Sequence, residues 1–195
     1  MTQNVILAGV GGQGLLSIAA VLGDAARREG LHLKQAEVHG MAQRGGGVQS
    51  HVRYGEDPIH SDLIREGTAN VILSLEPMEA LRYVRYLAPS GAVVSSSTPV
   101  RNISDYPDVA TILDEIRALP EHRLIDAEGL AKKAGTVRCA NMVILGAGAP
   151  FLGICADALA AGIEAVFAAK GRDVVETNLR GFRLGLETSL RREDA

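Results

Sequence analysis

Apolar and polar positions along the chain alternate between two periods. Residues 3–9 (QNVILAG) form an apolar run closing on glycine, the mark of a buried strand. Across 15–29, Leu15, Ile18, Ala19, Leu22 and Ala26 recur at helical spacing, and Gly30 closes that helix. Residues 31–38 read as a second strand. From 48 to 54, Val48, Ser50, Val52 and Tyr54 alternate with Gln49, His51 and Arg53, which predicts a half-buried strand. The turn at 55–58 and the pair Ile59-His60 then predict a hairpin partner. Residues 69–75 (ANVILSL) predict a buried strand. Pro77, in a first turn that needs no amide hydrogen, opens a helix to Leu87. Pro89-Ser90-Gly91 predicts a turn into a strand at 92–96. A helix over 109–119 stops at Pro120, and a strand (123–126) and a short helix (127–134) follow. From Ala140 onward only helices are expected. The first is a buried one in the apolar stretch 142–156, ending in a turn near Pro150; 156–170 and 173–191 follow, parted by Gly171.

Strands alternating with helices predict an α/β fold with three layers, α/β/α. The sheet is Rossmann-like, mixed and mostly parallel, and the C-terminal third is helical. At 195 residues the chain fits a single domain, 1–195, able to bury a core without staples.

Composition removes several classes. Lys and Arg total 20 against 23 Asp and Glu, with no basic stripe, so no nucleic-acid partner is expected. The apolar stretch 142–156 is shorter than the roughly 20 residues of a bilayer span, so no membrane partner is expected either. The start of the chain has no basic segment before an apolar one, so it does not read as a signal peptide. Two cysteines, Cys139 and Cys155, build no disulfide framework, four-cysteine zinc site or iron–sulfur ligation within one chain. A cytoplasmic location follows as the expectation, with both thiols read as buried small hydrophobes and no metal site.

Two segments carry candidate chemistry. Gly9-Val10-Gly11-Gly12-Gln13-Gly14 spells G-x-G-x-x-G between a strand and a helix. Glycines there permit a tight turn and the approach of an anion to the helix N-terminus. A dinucleotide site would add an acid about 20 residues on, and Glu37 stands near that place. The same glycines also serve plain strand–helix packing, so both readings stay open. The second segment runs from His39 through Gln43 and Arg44 to Gly45-Gly46-Gly47. His39 could donate a proton or a hydrogen bond, and Gln43 and Arg44 could grip a carboxylate or phosphate. Each could equally structure the loop or an interface. His51 is expected at solvent or a subunit contact. Glu76 and Glu79 read as favourable acid in a helix's first turn. Phe167, Val174, Val175, Leu179, Phe182, Leu186 and Leu190 form an apolar stripe, expected mostly in the core and in part available to a partner.

GVGGQG (9–14), EVHGMAQRGG (37–46), SHVRYG (50–55), LEPMEALRY (75–83), ANMVILGA (140–147) and VVETNLRGFRLG (174–185) stand in one order along the chain. Together they resemble the gamma-domain family of 2-oxoacid:ferredoxin oxidoreductases. The spelling HGMAQRGG is similar to its indolepyruvate branch, in the small (beta) subunit. The resemblance implies a complex that converts an aryl 2-oxoacid to aryl-acetyl-CoA and CO2 and reduces ferredoxin. It places thiamine diphosphate, magnesium and [4Fe-4S] clusters on a larger partner subunit, reached by ferredoxin, in a two-plus-two heterotetramer. The chain itself shows no Gly-Asp-Gly segment with an Asn pair for thiamine diphosphate, and side chains alone supply no electron sink for decarboxylation. No catalytic residue and no bound cofactor is therefore expected in this chain alone. Gly9, Gly11, Gly12, Gln13, Gly14, His39, Gln43 and Arg44 are the candidates to face the partner's active site, CoA or the oxoacid. An isolated chain could pair as a homodimer. Two rival readings remain: a stand-alone NAD(P)- or flavin-dependent oxidoreductase, and an assembly protein without site residues.

Overall fold

In the computed structural model, which describes residues 2–39, 46–101 and 103–191, the apolar runs become six strands of one sheet. They are β1 (Thr2–Val10), β2 (His32–His39), β3 (Gly47–Gly55), β4 (Ala69–Ser74), β5 (Leu87–Ser96) and β6 (His122–Ile125). Their spatial order is β2-β3-β1-β4-β5-β6. β1, β4, β5 and β6 run parallel, and β3 is antiparallel to both β1 and β2, so the sheet is mixed as expected.

The helices are α1 (Leu15–Arg28), α2 (Pro77–Arg82), α3 (Val109–Arg117), α4 (Ala127–Ala134), α5 (Ala140–Leu152), α6 (Ala156–Phe167) and α7 (Arg172–Leu190). From β1 the chain moves through α1 toward β2, and from β4 through α2 toward β5, in opposite directions across the sheet. Right-handed crossovers then require α1 and α2 on opposite faces. The side chains agree. Val5 and Leu7 of β1 pack with α1, α4, α5, α6 and α7, while Ile6 packs with Ala80 of α2 and Ile112 and Ile116 of α3. α5 is apolar around its whole circumference because it lies between the sheet and α7.

Several expected boundaries move. Ile59-His60 is no strand; β3 finds its antiparallel partners in β1 and β2, and Ile59 is a core side chain instead. Pro89, Ser90 and Gly91 lie inside β5 rather than in a turn. The register against β4 shifts between Ala69 and Val71, an irregularity of the kind that tolerates proline. α2 stops at Arg82, a single 3-10 turn spans Val84–Tyr86, and Leu87 already begins β5. The apolar stripe of the last helices is core at Phe167, Leu179 and Phe182, half-buried at Val174, Val175 and Leu186, and exposed at Leu190.

Candidate functional site

β1 and β4 are parallel neighbours whose following connections leave in opposite directions. In an open α/β sheet the crevice outside the carboxyl ends of such a pair is where ligands bind. Here it opens into a cleft of about 720 Å³. Gly12, Gln13 and Gly14 line it, with Leu75 and Ser96 at the strand ends, residues 135–141, and Lys170, Asp173, Val174 and Asn178 around the start of α7. The first turns of α1, α4, α5 and α7 all border it. Four helix N-termini lend it a positive partial charge, which Glu128 and Asp173 on the same rim partly offset.

The glycine-rich turn is held by its own residues. Gln13 uses both ends of its amide within the chain: its Oε1 accepts from the Val10 amide (2.6 Å) and its Nε2 donates to the Leu75 carbonyl (2.9 Å). Gln13 thus ties the turn to β4. A Cβ on Gly9 would stand 2.8 Å from that Oε1, so Gly9 makes room for the tie. Gly14 caps α1 in a left-handed conformation, φ 88°. Asn141, buried at the start of α5, donates from Nδ2 to the Gly14 carbonyl at 3.2 Å. Gly12 also has a left-handed φ, and no other atom lies within 4 Å of where its Cβ would stand.

The second segment meets the first at this edge. β2 ends at His39, β3 begins at Gly47, and the Gly11 amide donates to the Gly46 carbonyl at 3.0 Å. Gln43 and Arg44 lie outside the described residues. Glu37 does not occupy the ribose position of a dinucleotide fold. β3 is inserted between β1 and β2, and Glu37 stands level with Leu7, two strand spacings or about 10 Å from β1.

Glu76 and Glu79 are both buried. Glu76 caps α2: its Oε2 accepts from the Glu79 amide (2.8 Å), and its Oε1 accepts from the Tyr106 hydroxyl and the Val100 amide. It thereby fixes the segment after β5 whose Thr98 and Val100 line the cleft. Glu79 pairs with Arg82 at 3.1 Å and lies against Gly47. Burial pushes its carboxyl above the usual carboxylate range, against the pull of Arg82. Both are structural acids, as the first-turn reading expects, with a degree of burial that reading does not contain.

Two expectations are corrected. His51 is not at solvent: it is 3% exposed, edge-on to Tyr86, and its Nδ1 accepts from the Ile64 amide at 2.9 Å. The segment after β3 and Tyr86 cover a face that alternation alone assigns to water. Burial lowers its pKa, with Asp62 opposing. A folded-state pKa below the unfolded one contributes stability above the unfolded pKa, about 6.5, that is lost as pH falls through the folded value. His51→Asn, which keeps an acceptor near Nδ1 and has no titration, is expected to flatten the decline in stability below pH 6.5 in denaturant titrations. An unchanged pH slope would show that His51 does not supply it. Cys155 is likewise not buried; it is exposed and caps α6, its Sγ accepting from the Ala158 amide, while Cys139 is buried as expected.

Sequence patterning passes over Asn141 and the cleft lining from the start of α7. The one usable signal is an Asn in the first turn of an otherwise apolar helix. Among the described residues, no group of three or more His, Cys, Asp or Glu could hold a metal ion, and no helix is long and apolar enough to cross a membrane.

The fold and this edge define a Rossmann-like α/β protein whose glycine turn lies at the switch point of the sheet, hydrogen-bonded to Gly46 just before β3. The sequence places it more closely. Residues 4–188 match the pyruvate ferredoxin/flavodoxin oxidoreductase family, and the chain belongs to that family. It is 38% identical to "Indolepyruvate oxidoreductase subunit IorB" of Thermococcus kodakarensis, over 95% of both chains. The protein of that name from Pyrococcus horikoshii is also 38% identical over 95% of both. In the solved 2-oxoglutarate:ferredoxin oxidoreductase of Magnetococcus marinus, all of this chain superposes on 32% of a longer chain, with TM-score 0.76 and 23% identity. The pyruvate oxidoreductase subunit PORC of Thermotoga maritima matches over 96% of both chains, with TM-score 0.74 and 20% identity. These two neighbours share the fold. The resemblance read in the ordered motifs is thus borne out by relatives and family together.

Proposed function

We propose that this chain, acting as one unit over 1–195, is the non-thiamine subunit of an indolepyruvate-type 2-oxoacid:ferredoxin oxidoreductase. The family and the relatives named for indolepyruvate make it an oxidoreductase subunit. In this reading a larger partner carries thiamine diphosphate, magnesium and the [4Fe-4S] clusters, receives ferredoxin, and joins two copies of this chain in a cytoplasmic two-plus-two complex. Thiamine diphosphate on the partner would supply the electron sink for oxoacid decarboxylation, and this chain would hold coenzyme A against that site with Gly9, Gly11, Gly12, Gln13, Gly14, His39, Gln43 and Arg44.

One observation carries the reading: the Gly11–Gly46 hydrogen bond ties the glycine turn, which lines the cleft at Gly12–Gly14, to the residue that leads into β3. Exposed aliphatic side chains stand on the same edge, Leu16 on α1, Val38 near the end of β2 and Val137 before α5, as expected of a face that a partner covers. The crystallised Magnetococcus marinus enzyme has coenzyme A bound, which supports CoA as the shared co-substrate. Gln13 serves in this scheme by shaping the turn, since its amide is already engaged.

Two measurements test the proposal. Anaerobic affinity purification from native cells, with mass spectrometry, should recover a larger cysteine-rich partner; recovery of the chain alone at full yield would argue for the stand-alone oxidoreductase. In the assembled complex, Arg44→Ala should raise the KM for CoA or oxoacid about tenfold or more, the size of one lost charge-assisted contact, with assembly intact. Unchanged kinetics in an intact complex would remove Arg44 from the site.

A further inference from the structure

We infer that Glu79 is a positioning residue for the glycine turn, acting on it through Gly47 and Gly46. What the turn then holds rests on the CoA reading above; its placement does not. Glu79 lies in the first turn of α2 and is 1% exposed. Its carboxyl takes the place that a side chain at position 47 would fill. A Cβ on Gly47 would stand 2.8 Å from Oε2, 3.2 Å from Cδ and 3.3 Å from Oε1 of Glu79. The three nearest atoms thus belong to one carboxyl, which covers the Gly47 backbone. Gly47 opposes Val10 in the last rung of the β1–β3 pairing. Gly46, next to it, accepts from the Gly11 amide at 3.0 Å. The buried carboxyl therefore stands one contact away from the rung on which the turn is hung.

The carboxyl is itself held at both ends. Glu76 fixes the backbone, its Oε2 accepting from the Glu79 amide at 2.8 Å. Arg82 fixes the head, its Nε lying 3.1 Å from Oε2 and 3.3 Å from Oε1. Burial of a carboxyl is unfavourable, and an apolar side chain would cover Gly47 without that cost. What the apolar group lacks is a partner that fixes where its end stands. The turn is then seated from two strands: Gln13 binds it to Leu75 after β4, and Glu79 seats Gly47 at the start of β3. With the carboxyl gone, the last rung opens more often, the Gly11–Gly46 hydrogen bond frays, and the first amides of α1 lose a fixed position.

The test has two readouts, one of which needs no ligand. Hydrogen–deuterium exchange with mass spectrometry on the full chain follows the peptides that cover 9–14. Glu79→Ala removes the carboxyl. Glu79→Asp keeps the charge but ends one methylene short of Gly47, and it carries the comparison should the alanine variant fail to fold. Each should speed exchange at 9–14 about tenfold or more, the size of one lost hydrogen bond. Glu79→Gln keeps the shape and an acceptor for Arg82, and should exchange as the wild type does. In the assembled complex the alanine and aspartate variants should raise the KM for CoA about three- to tenfold while kcat stays within about twofold, and Glu79→Gln should restore the KM. Wild-type exchange at 9–14 in the alanine and aspartate variants, or a glutamine variant that exchanges as fast as they do, would overturn the inference. Faster exchange with an unaltered KM for CoA would uphold the positioning role and count against the proposed use of the turn, so the two readings fail separately.

Discussion

Alanine at Gly146 or Gly185 is expected to lower the unfolding free energy by about 3 kcal/mol or more, and the melting temperature by about 6–12 °C. The cause is the contact of α5 with α7. A Cβ on Gly146 would overlap the carbonyl oxygen of Phe182, and one on Gly185 would overlap the carbonyl oxygen of Val143. Gly181, one turn before Gly185, faces Cys139 with more room, its Cβ position 3.1 Å from Sγ. The two helix backbones therefore touch where the glycines face each other. Carbonyls inside a helix cannot retreat as a flexible side chain can, so the added methyl must push the helices apart. Overpacking of this kind costs more than the helix propensity gained from alanine. Gly23→Ala on α1 is the control. Its Cβ would meet only the end of the Leu33 side chain, at 3.3 Å, so a change near zero or a small gain is expected. Thermal melts of the three variants at one scan rate decide the matter: equal melting temperatures would mean that the α5–α7 contact yields easily.

This contact also bears on the site, because α5 and α7 both begin at the cleft. Asn141 on α5 holds Gly14, and Asp173 and Val174 on α7 also line the cleft. Packing in the helical third thus sets the width of a cleft whose near wall is built from the first strand.

What the chain reveals before folding follows from the range of the forces involved. Strands buried on both faces announce themselves as apolar runs, so β1 and β4 are legible almost to the residue. The left-handed cap at Gly14 is legible too, because only glycine takes that conformation at ease. The hairpin proposed at Ile59 fails because apolar character reports burial and not pairing: Ile59 is buried as a loop side chain. His51 misleads for a related reason. Alternation along β3 identifies the face toward α1, but nothing local shows that Tyr86, far along the chain, covers the other. The glycine turn at 9–14 and the candidate segment 39–47 can be suspected from glycine clustering. The rest cannot, since residues 135–141 and the start of α7 reach the cleft only through the packing of α5 and α7. Gln13 shows the limit from the other side. It reads as a ligand contact by its place in the motif, and the fold spends its amide on Val10 and Leu75.

Gly14→Ala should leave a complex that folds and assembles but raises the KM for CoA by about 30-fold or more, equivalent to about 2 kcal/mol. Alanine at φ 88° carries a left-handed penalty of roughly 1–2 kcal/mol. Its Cβ would also stand 2.6 Å from Nδ2 of Asn141, which itself binds the Gly14 carbonyl. A protein stable by about 5–15 kcal/mol absorbs that strain globally, but the turn absorbs it locally by moving into the cleft it borders. The first amides of α1 then lose their aim. If the path of the damage is the clash with Asn141, adding Asn141→Ala should recover part of the lost affinity, and the double-mutant cycle should show a coupling of about 0.5–3 kcal/mol. If Gly14→Ala leaves the KM for CoA unchanged in an intact complex, the glycine turn serves strand–helix packing alone, and the coenzyme is held by the loop between β2 and β3 and by the partner.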